Sequence, residues 1–133
     1  MGNPSTKNFN VEIDKKLACT CGDPRCNKPV VMQSALNQLQ LMRDDYGRPI
    51  KVTSGARCPF HPNEQHRPAG TGDHQKLETF DIECLTAQDE TKLKVLAGRH
   101  GATRVAGTYK DGFIHVCFGE CDRTDVPTWE YGK

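Results

Sequence analysis

Residues 77–85 have the sequence LETFDIECL, in which apolar and polar side chains alternate. An alternation with a period of two predicts a β-strand with one buried and one polar face. The apolar face would present Phe80, Ile82 and Cys84, and the polar face would present Thr79, Asp81 and Glu83. The stretch therefore predicts a strand that holds a carboxylate, Asp81, on the side of the sheet opposite the hydrophobic core.

A second stretch, residues 113–118, repeats this alternation. Its apolar face carries Ile114, Val116 and Phe118, and its other face carries His115 and Cys117. The preceding Asp111-Gly112 pair is a strong hairpin signal, and residues 102–109 supply the partner strand. A short strand over residues 49–53 completes a small, mainly antiparallel sheet.

Two helices are predicted beside this sheet. Residues 30–46 place apolar side chains three and four positions apart, which predicts a helix with one buried face that ends at Gly47. A second helix is predicted to begin at Thr86, where Thr86 and Asp89 form a cap at its N-terminus, and to end at Gly101. The predicted fold class is therefore α+β: a small, mainly antiparallel sheet with two packed helices.

The composition limits the classes of function. The chain has 133 residues, which suits one domain over residues 1–133, with a loose segment at 1–7 and an irregular tail at 119–133. Its 18 basic and 17 acidic residues give a net charge of +1, which argues against nucleic-acid or membrane binding by bulk charge. No apolar run reaches the length of a membrane span, and the N-terminus lacks the pattern of a cleaved secretion signal.

Three side chains predict a metal site. Asp81 and His115 lie on the polar faces of two predicted strands, and His74 lies at the end of a long irregular loop, residues 54–73, before the first of them. Two neutral imidazoles and one carboxylate suit zinc and leave a fourth position for water, which becomes acidic enough to yield hydroxide near neutral pH. Three unrelated polar residues at the surface are the alternative interpretation.

Three segments in fixed order carry a family resemblance: TSGARCP at 53–59, HQKLETFDI at 74–82 and GFIHV at 112–116. Together they resemble the D-Ala-D-Ala carboxypeptidase family of zinc peptidases, and most of all its small muramoyl-pentapeptide carboxypeptidases and phage endolysins. The resemblance covers roughly residues 8–118. It implies a Hedgehog/D,D-peptidase-like fold and activity on the peptides of bacterial cell walls.

The resemblance also implies roles for individual residues. His74, Asp81 and His115 match the three zinc ligands of the family. Arg57 matches an arginine that meets a substrate carbonyl or carboxylate, a role that suits a permanently charged guanidinium; alternatively, Arg57 pins its own loop. For the carboxylate that moves a proton, Asp111 is the first candidate and Glu120 the second.

The sequence departs from the family pattern at several positions. The family has Ser, Gly and Ala around the first two ligands, and this chain has Gly72, Leu77 and Thr79. Members also place a carboxylate three residues before the last histidine or an aspartate two residues after it, and here these residues are Gly112 and Cys117. The departures predict a different path of the chain between the first two ligands and favour, as an alternative, zinc that is kept only for structure.

The seven cysteines leave at least one thiol unpaired or bound to metal, because their number is odd. Cys19, Cys21 and Cys26, with Cys58 placed nearby by the resemblance, could hold a second, structural zinc. Their spacing, Cys-x-Cys-x4-Cys, is not a strong zinc-finger pattern, and a disulfide that involves Cys58 is an equal alternative.

The sequence thus predicts a zinc metallopeptidase that hydrolyses cross-links or D-amino-acid bonds of peptidoglycan, with D,D- or L,D-specificity. Its expected partners are the peptidoglycan stem peptide and other virion proteins, with no nucleic acid. Its size and N-terminus favour a phage lysin or virion component, located in the virion or the host cytoplasm and acting at the bacterial cell wall. The alternative is a non-catalytic module of the same fold in a phage virion, in which zinc clamps the long loop.

Overall fold

A computed structural model describes residues 3–62, 64 and 73–119. Its regular elements, in chain order, are α1 (Gln33–Tyr46), β1 (Val52–Ser54), β2 (Thr79–Glu83), α2 (Ala87–Arg99), β3 (Arg104–Thr108) and β4 (Phe113–Cys117). Short 3-10 helices lie at Lys15–Leu17, Asp73–Lys76 and Tyr109–Asp111. The α+β class is confirmed: two helices pack on a four-stranded antiparallel sheet.

The sheet places the polar faces of β2 and β4 side by side. Its strands follow the order β1-β2-β4-β3, and neighbouring strands run antiparallel. The register between β2 and β4 sets Asp81 directly opposite His115. Side chains opposite each other in an antiparallel pair point to the same face, so this register alone brings a carboxylate and an imidazole together.

The opposite face of the sheet forms the hydrophobic core with the two helices. Phe80, Ile82, Ile114 and Val116 have no exposed surface, which confirms the predicted apolar faces of both strands. From the helices, the core receives Ala35, Leu36, Leu39, Met42, Leu93, Leu96 and Ala97. The core therefore fixes the two strands that carry the polar side chains on the other face.

The helix boundaries follow from local hydrogen bonds. Helix α1 begins at Gln33 rather than at residue 30, because the preceding residues are extended: Val30 bridges to Ala18, and the Met32 N–H donates to the Leu77 carbonyl. Helix α2 begins as predicted, since the Thr86 side chain accepts the Asp89 N–H. The helices among the described residues lack the length and apolar composition that a membrane span requires.

Two further predictions differ from the structure. Strand β1 lies at Val52–Ser54, later than the predicted residues 49–53. The Asp-Gly pair does join β3 to β4, but through the 3-10 helix Tyr109–Asp111 followed by Gly112 at φ 85°, rather than through a two-residue turn.

Ser5, in the segment predicted to be loose, is hydrogen-bonded to the Gln33 side chain of α1. Of the predicted tail, residues 120–133 lie outside the described residues.

Candidate metal centre

The three residues that the sequence selects as metal ligands lie together in the structure. His74, Asp81 and His115 each offer one ligand atom, and these atoms all lie within 4.8 Å of one another. The register of β2 and β4 brings Asp81 to His115. The 3-10 helix Asp73–Lys76, just before β2, adds His74 to the pair.

Asp81 lies between the two imidazoles. Its Oδ2 is 3.3 Å from Nε2 of His74, and its Oδ1 is 3.1 Å from Nδ1 of His115. The imidazole rings meet edge to face, with centroids 5.1 Å apart. His74 is 4% exposed and Asp81 6% exposed, whereas His115 is half-buried, so the group lies just under the surface on the polar side of the sheet.

A backbone carbonyl orients His74. Its Nδ1 lies 2.7 Å from the carbonyl oxygen of Gly55, which can only accept a hydrogen bond. Nδ1 therefore donates to this carbonyl, and Nε2 is the nitrogen that faces Asp81. Metal-binding histidines are commonly held in this way through their second nitrogen.

Gly55 itself is held by close packing. A Cβ atom built on Gly55 would lie 2.8 Å from the Lys16 carbonyl oxygen and 3.1 Å from Cγ1 of Val31. A side chain at this position would displace the backbone against which the turn packs. The turn between β1 and Cys58 is therefore fixed where its carbonyl meets His74.

The carboxylate is in the form that binds a cation. Burial alone would raise the pKa of the Asp81 carboxyl. The contacts with His115 and His74 together lower the pKa by more than burial raises it, so the pKa lies well below its usual range. Two imidazole nitrogens and an ionised carboxylate at mutual distances under 4.8 Å suit zinc. The donor set of this chain thus fits the metal that the sequence predicts.

Arg57 lies against the same group. Its Nη2 is 3.4 Å from Oδ2 of Asp81, its Nη1 is 3.1 Å from Oε2 of Glu64, and its Nε donates to the Ser54 hydroxyl at 3.2 Å. Glu64 is 2% exposed and also accepts a hydrogen bond from Gln75. The sequence does not single out Glu64, since no motif distinguishes it from other charged residues of the long loop.

A comparison with family models decides the family. The model described as Peptidase M15 matches residues 7–117. The chain belongs to the peptidase M15 family. This is a D-Ala-D-Ala carboxypeptidase-type zinc peptidase family, which confirms the resemblance carried by the three sequence segments. Comparisons with curated proteins and with solved structures found no match.

The departure of this M15 peptidase from the family's glycine has a conformational consequence. Leu77 has φ 69°, a left-handed conformation that glycine adopts without strain. The chain between the first two ligands therefore makes the turn that a glycine would favour, with a leucine in its place. Thr79, at the family's alanine position, is fully buried. Gly72, at the serine position, lies outside the described residues.

Among the described residues, no hydrogen bond or ion pair joins Asp111, the first predicted proton-moving carboxylate, to the metal group. Asp111 ends the 3-10 helix before β4, where its carboxylate accepts the Thr108 N–H at 3.3 Å in a capping box. Glu120 lies outside the described residues. The catalytic role of Asp111 stays a prediction. Cys117, which stands where the family has an aspartate, is buried and disulfide-bonded.

The four cysteines named as a possible second site form another group, and three of them lie in the segment before α1. Their Sγ atoms lie within 4.8 Å of one another, and all four are free cysteines: Cys19, Cys21, Cys26 and Cys58. Cys58 follows Arg57 directly. The two groups are therefore joined through the turn that carries Arg57.

Proposed function

We propose that this M15 peptidase uses zinc to hydrolyse peptide bonds in peptidoglycan, either a D-amino-acid bond of the stem peptide or a bridge between stems. The buried group of His74, Asp81 and His115 supports the proposal most directly, because its donor set is that of a zinc site and it lies inside the segment matched by the family. The substrate class comes from the resemblance to cell-wall peptidases.

The ligand residues would hold zinc through atoms that already face one another. These are Nε2 of His74, a carboxylate oxygen of Asp81 and Nδ1 of His115. Zinc bound there would supply a Lewis acid that polarises a carbonyl and acidifies water. The Gly55 carbonyl would hold the His74 ring in place during the reaction, as it does in this structure.

Arg57 would bind the substrate beside the ligands. Its guanidinium is fixed by Glu64 and Ser54, so little reorganisation is needed when a negatively charged oxygen approaches. A carboxylate at the end of a stem peptide, or the oxygen that gains charge during hydrolysis, is the chemistry that a guanidinium favours. Glu64 thus serves as a positioning residue for Arg57.

The test is digestion of purified bacterial cell wall and of a stem peptide that ends in D-Ala-D-Ala. We expect the wild-type protein with zinc to release new amino groups, and His115→Ala to release none. His100→Ala is the matched control, because His100 lies at the end of α2 and contacts Asp45 rather than the metal group. If wild type with bound zinc cleaves neither substrate, the proposal is wrong. The products distinguish D,D- from L,D-specificity.

A second candidate function is a non-catalytic zinc-binding module of a phage virion. Two observations favour it: the position three residues before His115 is Gly112, and the nearby Asp111 carboxylate is engaged with Thr108. In this case zinc would bind without hydrolysis in the assay above. The phage lysin or virion context, with action at the bacterial wall, stays a prediction.

A further inference from the structure

The four-cysteine group joins two separate parts of the chain. Cys19, Cys21 and Cys26 lie in the segment that follows the 3-10 helix Lys15–Leu17, and Cys58 lies just beyond β1. Cys19 and Cys58 are buried, while the other two are half-buried. Contacts between sulfur atoms therefore connect the N-terminal segment to the turn that carries Arg57.

One sulfur–sulfur distance matches metal coordination. Sγ of Cys21 and Sγ of Cys58 are 3.6 Å apart. A disulfide needs about 2.05 Å. A regular tetrahedron with zinc–sulfur bonds of about 2.3 Å has edges of about 3.8 Å, close to this separation. Cys21 and Cys58 thus have the spacing of two ligands of one zinc ion, and all four sulfurs lie within 4.8 Å of one another.

One backbone N–H donates to a sulfur of the group. The Lys28 N–H lies 3.3 Å from Sγ of Cys26. A donor at this distance favours the thiolate, which is the form that binds metal.

Two residues in left-handed conformation shape the chain next to Cys21 and Cys26. Gly22 has φ 82° and Lys28 has φ 53°. A lysine rarely adopts this conformation without a local reason, and here it directs its own N–H to Sγ of Cys26 at 3.3 Å. Arg25, over the Phe60 ring and close to Cys58, places a positive charge beside a site that would be negative.

We propose that Cys19, Cys21, Cys26 and Cys58 bind one structural Zn²⁺ that fastens the N-terminal segment to the turn carrying Arg57. Each thiol releases its proton to solvent as its sulfur binds, and no oxidant is required. The site is separate from His74, Asp81 and His115, and it stands whether or not the chain hydrolyses peptides. Iron also accepts four thiolates, so the identity of the metal is part of the test.

The first experiment is elemental analysis of the full chain purified under reducing conditions. We expect two zinc ions per wild-type chain, one in His74→Ala/His115→Ala and one in Cys21→Ser/Cys26→Ser. Cys84→Ala is the matched control and should keep two, because Cys84 is a buried free cysteine outside the group. If the histidine double variant holds no metal, or holds iron, the inference is overturned. If wild type holds one zinc that only the cysteine variant loses, this inference stands and the metal of the proposed function does not.

A second experiment avoids replacing any cysteine, since the cysteine variant can fail to fold. Co²⁺ is added to the metal-free histidine double variant, and the absorption spectrum is recorded. Thiolate-to-cobalt charge transfer in the near ultraviolet, titrating to one ion per chain, is the expected result. A spectrum without this absorption overturns the inference. So does a thiol titration of unreduced, unfolded wild type that finds these cysteines oxidised.

Discussion

The two groups of metal-competent side chains are built in different ways. The histidine–aspartate group depends on the sheet: strand register places Asp81 opposite His115, and ion pairs extend it to Arg57 and Glu64. The cysteine group depends on loops, where Lys28 in left-handed conformation directs its N–H to Sγ of Cys26. The difference indicates that the first group is held by the fold, whereas the second group holds part of the fold.

The largest effect is expected from Asp81→Ala, which removes the oxygen ligand that lies between both imidazoles. Loss of metal-based charge stabilisation should lower peptidase activity by about a thousandfold or more, equivalent to about 4 kcal/mol. Hydrolysis of the stem peptide and zinc content measure the effect. Glu83→Ala, on the same face of β2 but paired only loosely with Lys51 at 3.6 Å, should keep both zinc and activity. Equal losses in the two variants would contradict the assignment.

Withdrawal of zinc from the cysteine group should act on stability instead. A ligand that binds only the folded state, at a free concentration a hundredfold above its Kd, stabilises that state by about 3 kcal/mol. We expect Cys21→Ser/Cys26→Ser to lose about this much, and His74→Ala/His115→Ala to lose less. Denaturant unfolding with and without zinc measures both. A larger zinc-dependent loss in the histidine variant would reverse the comparison.

Gly55→Ala should disturb both groups, because Gly55 lies between β1 and Cys58 and its carbonyl orients His74. The added Cβ would come within 2.8 Å of the Lys16 carbonyl oxygen. We expect a loss of about 2 kcal/mol in unfolding free energy, together with weaker zinc binding at the histidine group. Calorimetric zinc titration is the measurement. Gly47→Ala is the control: it strains the end of α1, where φ is 72°, and should leave zinc affinity unchanged.

The smallest effect is expected from Asp111→Asn. Asparagine keeps an oxygen that can accept the Thr108 N–H but cannot take up a proton. If the carboxylate acts only in the capping box, unfolding free energy should change by less than about 0.5 kcal/mol, and activity should stay close to wild type. A large loss of activity with zinc and stability unchanged would show that Asp111 is the base that the sequence predicts.

The alternation of residues along two strands was sufficient to predict the core and the shared polar face of Asp81 and His115. It could not predict the orientation of His74, which depends on a carbonyl nineteen residues away in sequence. It could not predict Glu64 either, because that contact depends on how the long loop returns to Arg57. Local patterns determine strands and their faces, whereas long-range contacts determine which polar atoms meet.

Leucine at a glycine position predicts a changed path of the chain between the first two ligands, and this stays a prediction. Leu77 itself adopts the left-handed conformation that glycine favours. The reason is that tertiary contacts fix this turn: the Leu77 carbonyl accepts the Met32 N–H at 2.8 Å. Similarly, the spacing of the cysteines is weak as a motif, because Cys58 joins the other three only through the fold.

Anomalous diffraction at the zinc absorption edge, from crystals grown with zinc, locates the metal relative to the three ligand side chains. We expect a peak within about 2.0–2.2 Å of Nε2 of His74, a carboxylate oxygen of Asp81 and Nδ1 of His115. If zinc is present in the crystal but no peak lies among these three side chains, the zinc peptidase assignment of the group is wrong.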